Sequence, residues 1–321
     1  MEATAVASPN IALIKYWGNR DEALRLPSCG SISMTLDTLQ TRVHVRFDSS
    51  LPADRVIIQG TQASPEAAAR VSAHLDLVRD LAGLKYAALV DSMSNFPLGA
   101  GLASSAAAFA ALTLAATAAA GLQLDPQPLS RLSRRGSGSA CRSIFGGYVE
   151  WHAGQDDTTS FAEPIAPPDH WDLVDLIAMV HWEHKAVGSS VGHSLAATSP
   201  LQATRIADAP RRLAECRQAI LERDFPRLAA VAELDSNLMH AIMLTSTPPL
   251  IYWSPATLTV MHAVTQARQA GLEVFYTIDA GPNVHCLCPA SQAEGVLAEL
   301  RRLPVVLDVL RCRPGGPAWL V

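Results

Sequence analysis

One stretch of the chain has the residue types of a phosphate-binding loop. It reads Asn-Phe-Pro-Leu-Gly-Ala-Gly-Leu-Ala-Ser-Ser-Ala-Ala-Ala over residues 95–108. Glycine lets a backbone turn tightly and approach a ligand, and the alanine-rich run that continues to about residue 120 favours a helix. Ser104 and Ser105 would lie in its first turn, where free N–H groups and the helix dipole attract anions. The stretch predicts either phosphate binding or a helix packed closely through small residues. It is neither a Walker A loop, because no Gly-Lys-Ser/Thr follows, nor a dinucleotide-binding fingerprint, because the third glycine is missing.

Three charged residues elsewhere in the chain follow segments that could place their side chains in a cleft. Lys15 follows the apolar segment 11–14 and would point from a buried strand into a cleft, or would snorkel at a strand end. Arg142 follows Gly-Ser-Gly-Ser-Ala-Cys, where a guanidinium could pair with a carboxylate or phosphate, or would belong to a flexible loop. Asp279 ends a predicted strand before Ala-Gly-Pro, where an aspartate presents a general base to a cleft or only forms a turn.

Composition bounds the class of protein. The chain has 321 residues, of which 49% are hydrophobic and 17% charged, so we expect a soluble globular protein of two domains. A formal net charge of −5 without a basic run argues against nucleic-acid binding. Threonine and glycine interrupt the alanine-rich run, so we expect a buried helix there and no membrane span.

Cysteine and histidine spacing predicts no metal site. The six cysteines (29, 141, 216, 286, 288 and 312) form no CxxC pair, which predicts reduced thiols in a cytoplasmic protein. The first residues lack the basic start of a signal peptide. His181 and His184 have a spacing that indicates a metal site only weakly.

Hydrophobic periodicity predicts a mixture of strands and helices. Residues 41–47 alternate as a half-buried strand does, and Ser64-Pro65 begins a helix that ends at Gly83. Segment 188–193 is predicted to be a Gly/Ser loop. Further strands are predicted at 56–58, 86–90, 148–151, 173–180, 273–278, 284–288 and 305–310, and helices at 210–223, 226–244 and 254–271. These elements predict an α+β sandwich with a domain boundary near residue 178.

Four motifs occur in order along the chain. They are Ile-Ala-Leu-Ile-Lys-Tyr-Trp-Gly (11–18), Ala-Gly-Leu-Ala-Ser-Ser-Ala (100–106), Gly-Ser-Gly-Ser-Ala-Cys-Arg-Ser (136–143) and Asp-Ala-Gly-Pro-Asn (279–283). Together they resemble the mevalonate diphosphate decarboxylase family of the GHMP kinase superfamily, over nearly the whole chain.

The resemblance implies a two-domain GHMP kinase fold of the α+β class. An N-terminal domain of the ribosomal protein S5 domain 2-like type, over residues 1–178, would carry the ATP phosphate loop. A C-terminal GHMP α/β sandwich, over residues 179–321, would carry the catalytic aspartate. The resemblance also implies ATP and Mg²⁺ as cofactors and a homodimer.

The resemblance implies an ATP-dependent decarboxylation in isoprenoid biosynthesis. The family substrate carries a tertiary 3-hydroxyl beta to a carboxylate. ATP converts that poor leaving group into a phosphate, which departs with CO₂ and leaves an alkene. By resemblance, Asp279 orients or deprotonates the hydroxyl, Lys15 keeps Asp279 ionised, and Arg142 holds the substrate carboxylate. A small-molecule kinase that phosphorylates the 3-hydroxyl without decarboxylation is the alternative.

The binding residues are also implied by the resemblance. Ser92 would lie near the nucleoside, and Ser105 could reach the Mg²⁺ that accompanies ATP. The residues expected to contact ATP are Ser92, Asn95, Gly99, Ala100, Gly101, Leu102, Ala103, Ser104 and Ser105. The residues expected to contact the substrate are Tyr16, Asn19, Ser137, Ser139, Arg142, Ser189 and His193.

Two positions depart from the family pattern. Asn19 stands where the family usually has a lysine that contacts the substrate's diphosphate, and His193 stands where it usually has methionine. Losing a charge-assisted hydrogen bond of about 1.5–3 kcal/mol could change specificity about tenfold or more. A branch of the family that acts on mevalonate 5-phosphate also lacks that lysine. The sequence therefore favours mevalonate 5-phosphate, giving isopentenyl phosphate, over mevalonate 5-diphosphate, giving isopentenyl diphosphate, although Arg20 or His193 could supply the missing charge.

Overall fold

The computed structural model describes residues 1–182 and 188–321. The strands in these ranges are β1 (Glu2–Ala7), β2 (Asn10–Ile14), β3 (Asn19–Asp21), β4 (Leu26–Pro27), β5 (Ser31–Thr35), β6 (Thr41–Asp48), β7 (Arg55–Ile58), β8 (Thr61–Gln62), β9 (Ala87–Ser94), β10 (Tyr148–Trp151), β11 (Ala162–Ala166), β12 (Leu173–Met179), β13 (Phe275–Thr277), β14 (Val284–Pro289), β15 (Asp308–Cys312) and β16 (Trp319–Leu320). The helices are α1 (Pro65–Ala82), α2 (Ser104–Ala119), α3 (Pro126–Gly136), α4 (Ala140–Ser143), α5 (Ser189–Leu195), α6 (Gln202–Glu222), α7 (Phe225–Leu244), α8 (Pro255–Gln269) and α9 (Ala293–Arg301).

The ends of helix α1 follow directly from the local sequence. Ser64 caps its N-terminus by accepting a hydrogen bond from the backbone nitrogen of Ala67 at 3.3 Å, and Pro65 occupies the first helical position. Gly83 ends the helix in the left-handed conformation, with φ of 64°. The predicted bounds of this helix are confirmed.

The first sheet carries the glycine-rich stretch. Its strand order is β16-β1-β6-β9-β7-β8, and α2 packs on β1 and β6. In β6 the side chains of Val43 and Val45 are buried, while those of Arg42 and Arg46, on the opposite face, are exposed, which confirms the predicted alternation. The alanines of α2 let it lie close to this sheet. Within residues 1–182 and 188–321, none of the helices is long and apolar enough to cross a bilayer.

Two further sheets share a core with helices α6 and α7. The second sheet has the order β11-β10-β5-β2, and the third has the order β13-β14-β12-β15. One buried cluster joins Ile11 and Met34 of the second sheet to Leu228 of α7 and Ile177 of β12. Helices α8 and α9 pack on the third sheet through a separate apolar cluster. The predicted α+β class is confirmed, and the division of the chain at residue 178 stays a prediction.

Two predicted local structures in the second half are wrong. Segment 188–193, predicted as a Gly/Ser loop, is largely helix α5, where Gly192 allows close packing: a Cβ there would meet the Trp17 ring at 2.4 Å. Helix α6 begins at Gln202, eight residues before its predicted start, and Pro210 lies in its interior. The buried side chains of Arg205 and Arg212 hold this helix in place despite the hydrogen bond that the proline removes.

Candidate active site

The glycine-rich stretch forms one wall of a cleft of about 390 Å³. It connects β9 to α2 through positive φ angles of 73° at Gly99, 84° at Gly101 and 50° at Ala103. Ala103 is the N-cap residue of α2 and makes no side-chain hydrogen bond, so no side chain caps the first N–H groups of that helix. This is the loop-to-helix geometry expected of an anion site.

The cleft walls combine apolar side chains with hydroxyls. Hydroxyl-bearing wall residues include Ser92 of β9, Ser104 and Ser105 of α2, and Ser189 of α5. Apolar side chains along the walls include those of Val43, Val56, Ile58, Val90, Leu98, Leu102 and Leu112. A cleft that is apolar in part and carries hydroxyls next to a helix N-terminus can hold a purine base together with its phosphates.

Arg70 brings a positive charge to this cleft, and the sequence analysis missed it. Its guanidinium donates to the carbonyl of Gly136 at 2.8 Å and lies over the Phe109 ring, 4.6 Å from the centroid. Burial, with Arg25 nearby, lowers its pKa to about 10, so it stays protonated at neutral pH. The only sequence signal was its position beside Val71 on the inner face of α1.

A smaller cavity adjoins the cleft. Gly101, Ala103, Ser105 and Ser189 line both spaces. The sequence-predicted residues that also line the smaller cavity are Lys15, Tyr16, Ser139, Arg142, His193 and Asp279. The structure thus brings the residues predicted to be catalytic into one cavity beside the glycine-rich stretch.

Lys15 and Asp279 form an ion pair in the smaller cavity. The Lys15 Nζ lies 2.5 Å from an oxygen of Asp279, and the side chains keep 1% and 23% of their surface exposed, respectively. Burial would raise the pKa of Asp279, but Lys15, with His285 and Arg142, outweighs it and holds that pKa below its usual value. Burial lowers the pKa of Lys15, and Asp279 opposes that effect. The carboxylate is therefore ionised at neutral pH and faces the cavity.

Arg142 is a buried cation whose hydrogen-bond partners are all neutral among the described residues. Its Nε donates to the Ser33 hydroxyl at 2.9 Å, its Nη2 to Asn10 Oδ1 at 3.0 Å, and its Nη1 to the Ser31 hydroxyl. Among the described residues, no carboxylate lies within ion-pair distance of this guanidinium, which is 2% exposed. Burying a charge without a counterion is costly, so the position favours an anionic ligand.

An aromatic stack forms another side of the smaller cavity. His193 stacks on Tyr16, with ring centroids 4.1 Å apart, and accepts a hydrogen bond on Nδ1 from the backbone of Gly18 at 3.0 Å. The Tyr16 hydroxyl donates to Asn19 Oδ1, and Asn19 Nδ2 donates to Glu22 Oε2 at 2.8 Å. Both ends of the Asn19 amide are therefore bonded to protein groups, and Asn19 itself is not among the residues that line the smaller cavity.

Three further predicted residues have positions that the structure defines. The Ser137 hydroxyl lies 3.2 Å from that of Ser105, which lines both spaces, but Ser137 itself is not among the residues that line either one. Asn95 is not among the cleft-lining residues: its amide accepts from the Gln40 nitrogen at 2.8 Å and donates to the Thr38 carbonyl. Ala100 is buried, and its carbonyl accepts from Asn283 Nδ2 at 2.8 Å. Contacts of these residues with ATP or substrate stay predictions.

The described residues hold no group of histidine, cysteine, aspartate and glutamate side chains that could bind a metal ion by itself. His184 of the weak histidine pair lies outside the described residues. A divalent cation would therefore depend on oxygens of a phosphorylated ligand, with the Ser105 hydroxyl beside it.

The backbone of the glycine-rich stretch lies directly against that of the loop that follows Asp279. A Cβ on Gly101 would meet Gly281 Cα at 3.0 Å. We expect Gly101→Ala to cost about 1–2 kcal/mol for its positive φ and about 1–3 kcal/mol more for this contact, measured as the free energy of unfolding in urea.

Gly121→Ala is the matched control for that variant. Gly121 has a φ of 77°, close to the 84° of Gly101, but a Cβ there would meet nothing within 4 Å. Equal losses of stability in the two variants would show that the contact between the loops is unimportant.

The chain matches known proteins along most of its length. Residues 7–162 match the model of the diphosphomevalonate decarboxylase-like N-terminal domain, and residues 175–309 match that of the mevalonate 5-diphosphate decarboxylase C-terminal domain. The chain is 39% identical over 315 residues to the diphosphomevalonate decarboxylase of Candida albicans, which covers 93% of this chain and 87% of that protein. It is also 40% identical over 303 residues to the diphosphomevalonate decarboxylase of Homo sapiens. That alignment covers 87% of this chain and 75% of the human protein.

Solved structures agree with these matches. A mevalonate diphosphate decarboxylase from Staphylococcus aureus superposes with a TM-score of 0.94 and 37% identity, covering 100% of this chain and 98% of that chain. A structure of MDDEF in complex with MVAPP, AMPPCP and magnesium superposes with a TM-score of 0.95 and 38% identity, covering 100% and 99%.

Proposed function

Because the chain belongs to the diphosphomevalonate decarboxylase family and is an ATP-dependent decarboxylase, we propose that it acts on a 5-phosphorylated mevalonate and prefers the monophosphate. Its fold is the two-domain GHMP kinase fold, and its cofactors are ATP and Mg²⁺. The products of the proposed reaction are isopentenyl phosphate, ADP, phosphate and CO₂. The hydrogen-bonded, neutral amide of Asn19 is the observation that carries the preference.

Asp279 and Lys15 would act on the 3-hydroxyl of the substrate. The phosphoryl group that ATP supplies turns this hydroxyl into a good leaving group. Asp279 would accept the hydroxyl proton, because its lowered pKa keeps the carboxylate ionised and the carboxylate faces the cavity. Lys15, at 2.5 Å, would keep that carboxylate ionised and oriented.

Arg142 would hold the carboxylate that is lost as CO₂. Its guanidinium faces the cavity and has only neutral partners at hydrogen-bond distance among the described residues. A carboxylate beside it would be fixed in position while the bond to the adjacent carbon breaks. The same cation would stabilise negative charge that develops as the phosphate leaves.

The larger cleft would hold ATP. Its apolar walls would hold the base near Ser92, and the uncapped N-terminus of α2 with Ser104 and Ser105 would hold the phosphates. Arg70 would add positive charge from α1. Ser105 is the residue that would share the Mg²⁺ with the ATP phosphates.

The surroundings of Asn19 favour a substrate with one phosphate group. Its side chain has no charge and is bonded to Tyr16 and Glu22. The negative charge of Glu22 would oppose an additional anionic group here. Asn19 is not among the residues that line the smaller cavity, so a second phosphate would gain little from it.

Mevalonate 5-diphosphate is the second candidate substrate. The relatives named above are called diphosphomevalonate decarboxylases, and the MDDEF complex contains MVAPP. Arg20 could supply charge for it, because among the described residues its guanidinium donates only to the Ala153 carbonyl, at 3.1 Å, and it is exposed. His193, stacked on Tyr16, could do the same if protonated.

We expect Asn19→Lys to move specificity toward the diphosphate. A new charge-assisted hydrogen bond of about 1.5–3 kcal/mol corresponds to a change of about tenfold or more in the ratio of the two kcat/KM values. The measurement is kcat/KM for both substrates with the native and the variant enzyme at one fixed ionic strength.

Asn19→Gln is the matched control, since it lengthens the same side chain without adding charge. We expect its ratio of kcat/KM values to stay near that of the native enzyme. A native enzyme that already prefers the diphosphate would contradict the proposed substrate, and an unchanged ratio in Asn19→Lys would remove Asn19 as the selector.

We propose a homodimer and a cytoplasmic location as further properties. The homodimer rests on the resemblance alone, and light scattering coupled to gel filtration would test it. The location rests on the six cysteines, all of which are free and buried in the structure, as expected of a protein in a reducing compartment.

A further inference from the structure

One helix holds the backbone beside both members of the Lys15–Asp279 pair. On α7, Asp235 accepts a hydrogen bond from the backbone nitrogen of Lys15 at 2.6 Å. The next residue, Ser236, accepts from the backbone nitrogen of Ile278 at 2.9 Å and donates to the Ile278 carbonyl at 3.3 Å. Ile278 directly precedes Asp279, so neighbouring residues of α7 bind two segments that are far apart in sequence.

Two arginines of α6 contact the Asp235 carboxylate, and one of them also binds the backbone of Lys15. Arg212 Nε donates to Asp235 at 2.7 Å, and Arg205 Nη2 lies 3.6 Å from the same carboxylate. Arg205 also donates to the backbone carbonyl of Lys15 at 2.8 Å. The N–H and the C=O of Lys15 are therefore both held, by groups that are almost fully buried.

The cluster of Asp235, Arg205 and Arg212 is expensive for the fold. Arg212 Nη1 also pairs with the partly exposed Asp208 at 2.6 Å. Removing Asp235, Arg205 and Arg212 from water still carries a large desolvation cost, and apolar side chains of similar volume often give equal or greater stability. None of the three lines the cavity that contains Asp279. Stability alone therefore does not explain why these three side chains are charged. A need to fix the backbone position of Lys15 would explain it.

His240 adds a further contact from the same helix. It lies one turn after Ser236, and its Nε2 is 3.3 Å from the Ile278 carbonyl. Burial lowers its pKa to about 3, so the ring is neutral and adds no charge beside Lys15. The Ile278 carbonyl thus faces two side chains of α7.

We propose that Asp235 and Ser236 are positioning residues that set the separation of the Lys15 ammonium and the Asp279 carboxylate from a single rigid helix. This inference rests on the function proposed above for that pair. Because both segments are bound to adjacent residues, neither can shift along α7 without breaking a buried hydrogen bond. The helix then fixes the two catalytic segments relative to each other before substrate binds.

Ser236→Ala tests the proposal. It removes both hydrogen bonds to Ile278, and we expect kcat to fall about 10- to 100-fold while KM for ATP stays unchanged, because the ATP cleft does not include this residue. The acid limb of the kcat–pH profile should move to higher pH, since a looser Lys15 contact depresses the pKa of Asp279 less. The charged and titratable groups that face Asp279 are Lys15 after β2, Arg142 of α4, His285 of β14 and His240 of α7.

Ser246→Ala is the matched control. Ser246 is also buried and follows the end of α7, but its hydroxyl donates to the carbonyls of Met243 and Pro248. Asp235→Asn is the second test variant and removes the charge that holds Arg205 and Arg212. For each variant, the maximal rate is divided by the concentration of sites that bind a fluorescent ATP analogue. The resulting kcat per site is then not lowered by unfolded protein.

The outcomes separate this inference from the proposed function. A lower kcat per site with a shifted acid limb in Ser236→Ala and Asp235→Asn supports the positioning role. The proposal is overturned if both variants match Ser246→Ala in kcat per site and pH profile while Asp279→Asn shows its expected loss of kcat. Retained turnover in Asp279→Asn would instead overturn the role proposed for the pair itself.

Discussion

Asp279→Asn is expected to lower kcat by a factor of about 10²–10⁴, the usual contribution of a general base, while ATP still binds. The amide cannot accept the proton of the substrate hydroxyl. It also leaves the Lys15 ammonium, 1% exposed, without the carboxylate that lies 2.5 Å from it. Affinity for ATP can be measured independently of turnover, because Asp279 lines the smaller cavity and not the larger cleft. ADP and CO₂ release give kcat, and titration calorimetry gives the affinity for a non-hydrolysable ATP analogue.

Asp54→Asn is the matched control for that variant. Asp54 is also a mostly buried carboxylate paired with a cation, Arg79, and accepts from the Ala88 nitrogen at 2.8 Å. It supports strands β7 and β9 and lines neither cavity. We expect this control to lose stability and to keep its kcat per folded molecule. Full activity in Asp279→Asn would remove Asp279 from the mechanism.

Arg142→Gln is expected to lower kcat/KM by about 10²–10³, the effect of removing a group that stabilises charge in a transition state. The same variant should be no less stable than the native enzyme. Its guanidinium is 2% exposed and has no carboxylate partner among the described residues, so its removal also removes a desolvation cost. Kinetics and urea unfolding of the same preparations test both halves of this prediction.

Arg134→Gln is the control for the stability half. Arg134 is equally buried, but it pairs with Asp157 and donates to the Leu24 carbonyl at 3.1 Å. We expect it to lose about 1–3 kcal/mol of stability with little change in kcat per folded molecule. If Arg142→Gln is as destabilised as this control and still decarboxylates, Arg142 serves the fold and not the substrate.

Features that depend on neighbouring residues could be predicted from the sequence. The cap at Ser64, the end at Gly83 and the alternation of β6 are local, so they needed no knowledge of the tertiary structure. Lys15 and Asp279 could be named because each follows a recognisable apolar segment, and the structure brings them into contact across 264 positions of the chain. Their pairing came from the family resemblance and not from spacing.

Features that depend on which elements lie side by side could not be predicted. The environment of Arg142 is built from Asn10 on β2 and from Ser31 and Ser33 on β5. The period-two spacing of the serines indicates that they share one face of a strand, but not that an arginine of α4 lies against it.

Helix α7 shows the same limit. Its helical state was predictable, whereas the contacts of Asp235 and Ser236 with two distant backbones depend on the packing of α7 between two sheets. The early start of α6 was missed because a proline usually marks a helix end or start, and tertiary packing kept Pro210 inside the helix.

The most direct test is to measure ADP and CO₂ release in parallel with mevalonate 5-phosphate and with mevalonate 5-diphosphate. We expect equal amounts of ADP and CO₂ with the monophosphate, and a higher kcat/KM for it than for the diphosphate. Turnover of the diphosphate alone, or a preference for it, would contradict the role given to Asn19. ADP release without CO₂ would contradict the role given to Arg142 and, with it, the proposed chemistry of the site.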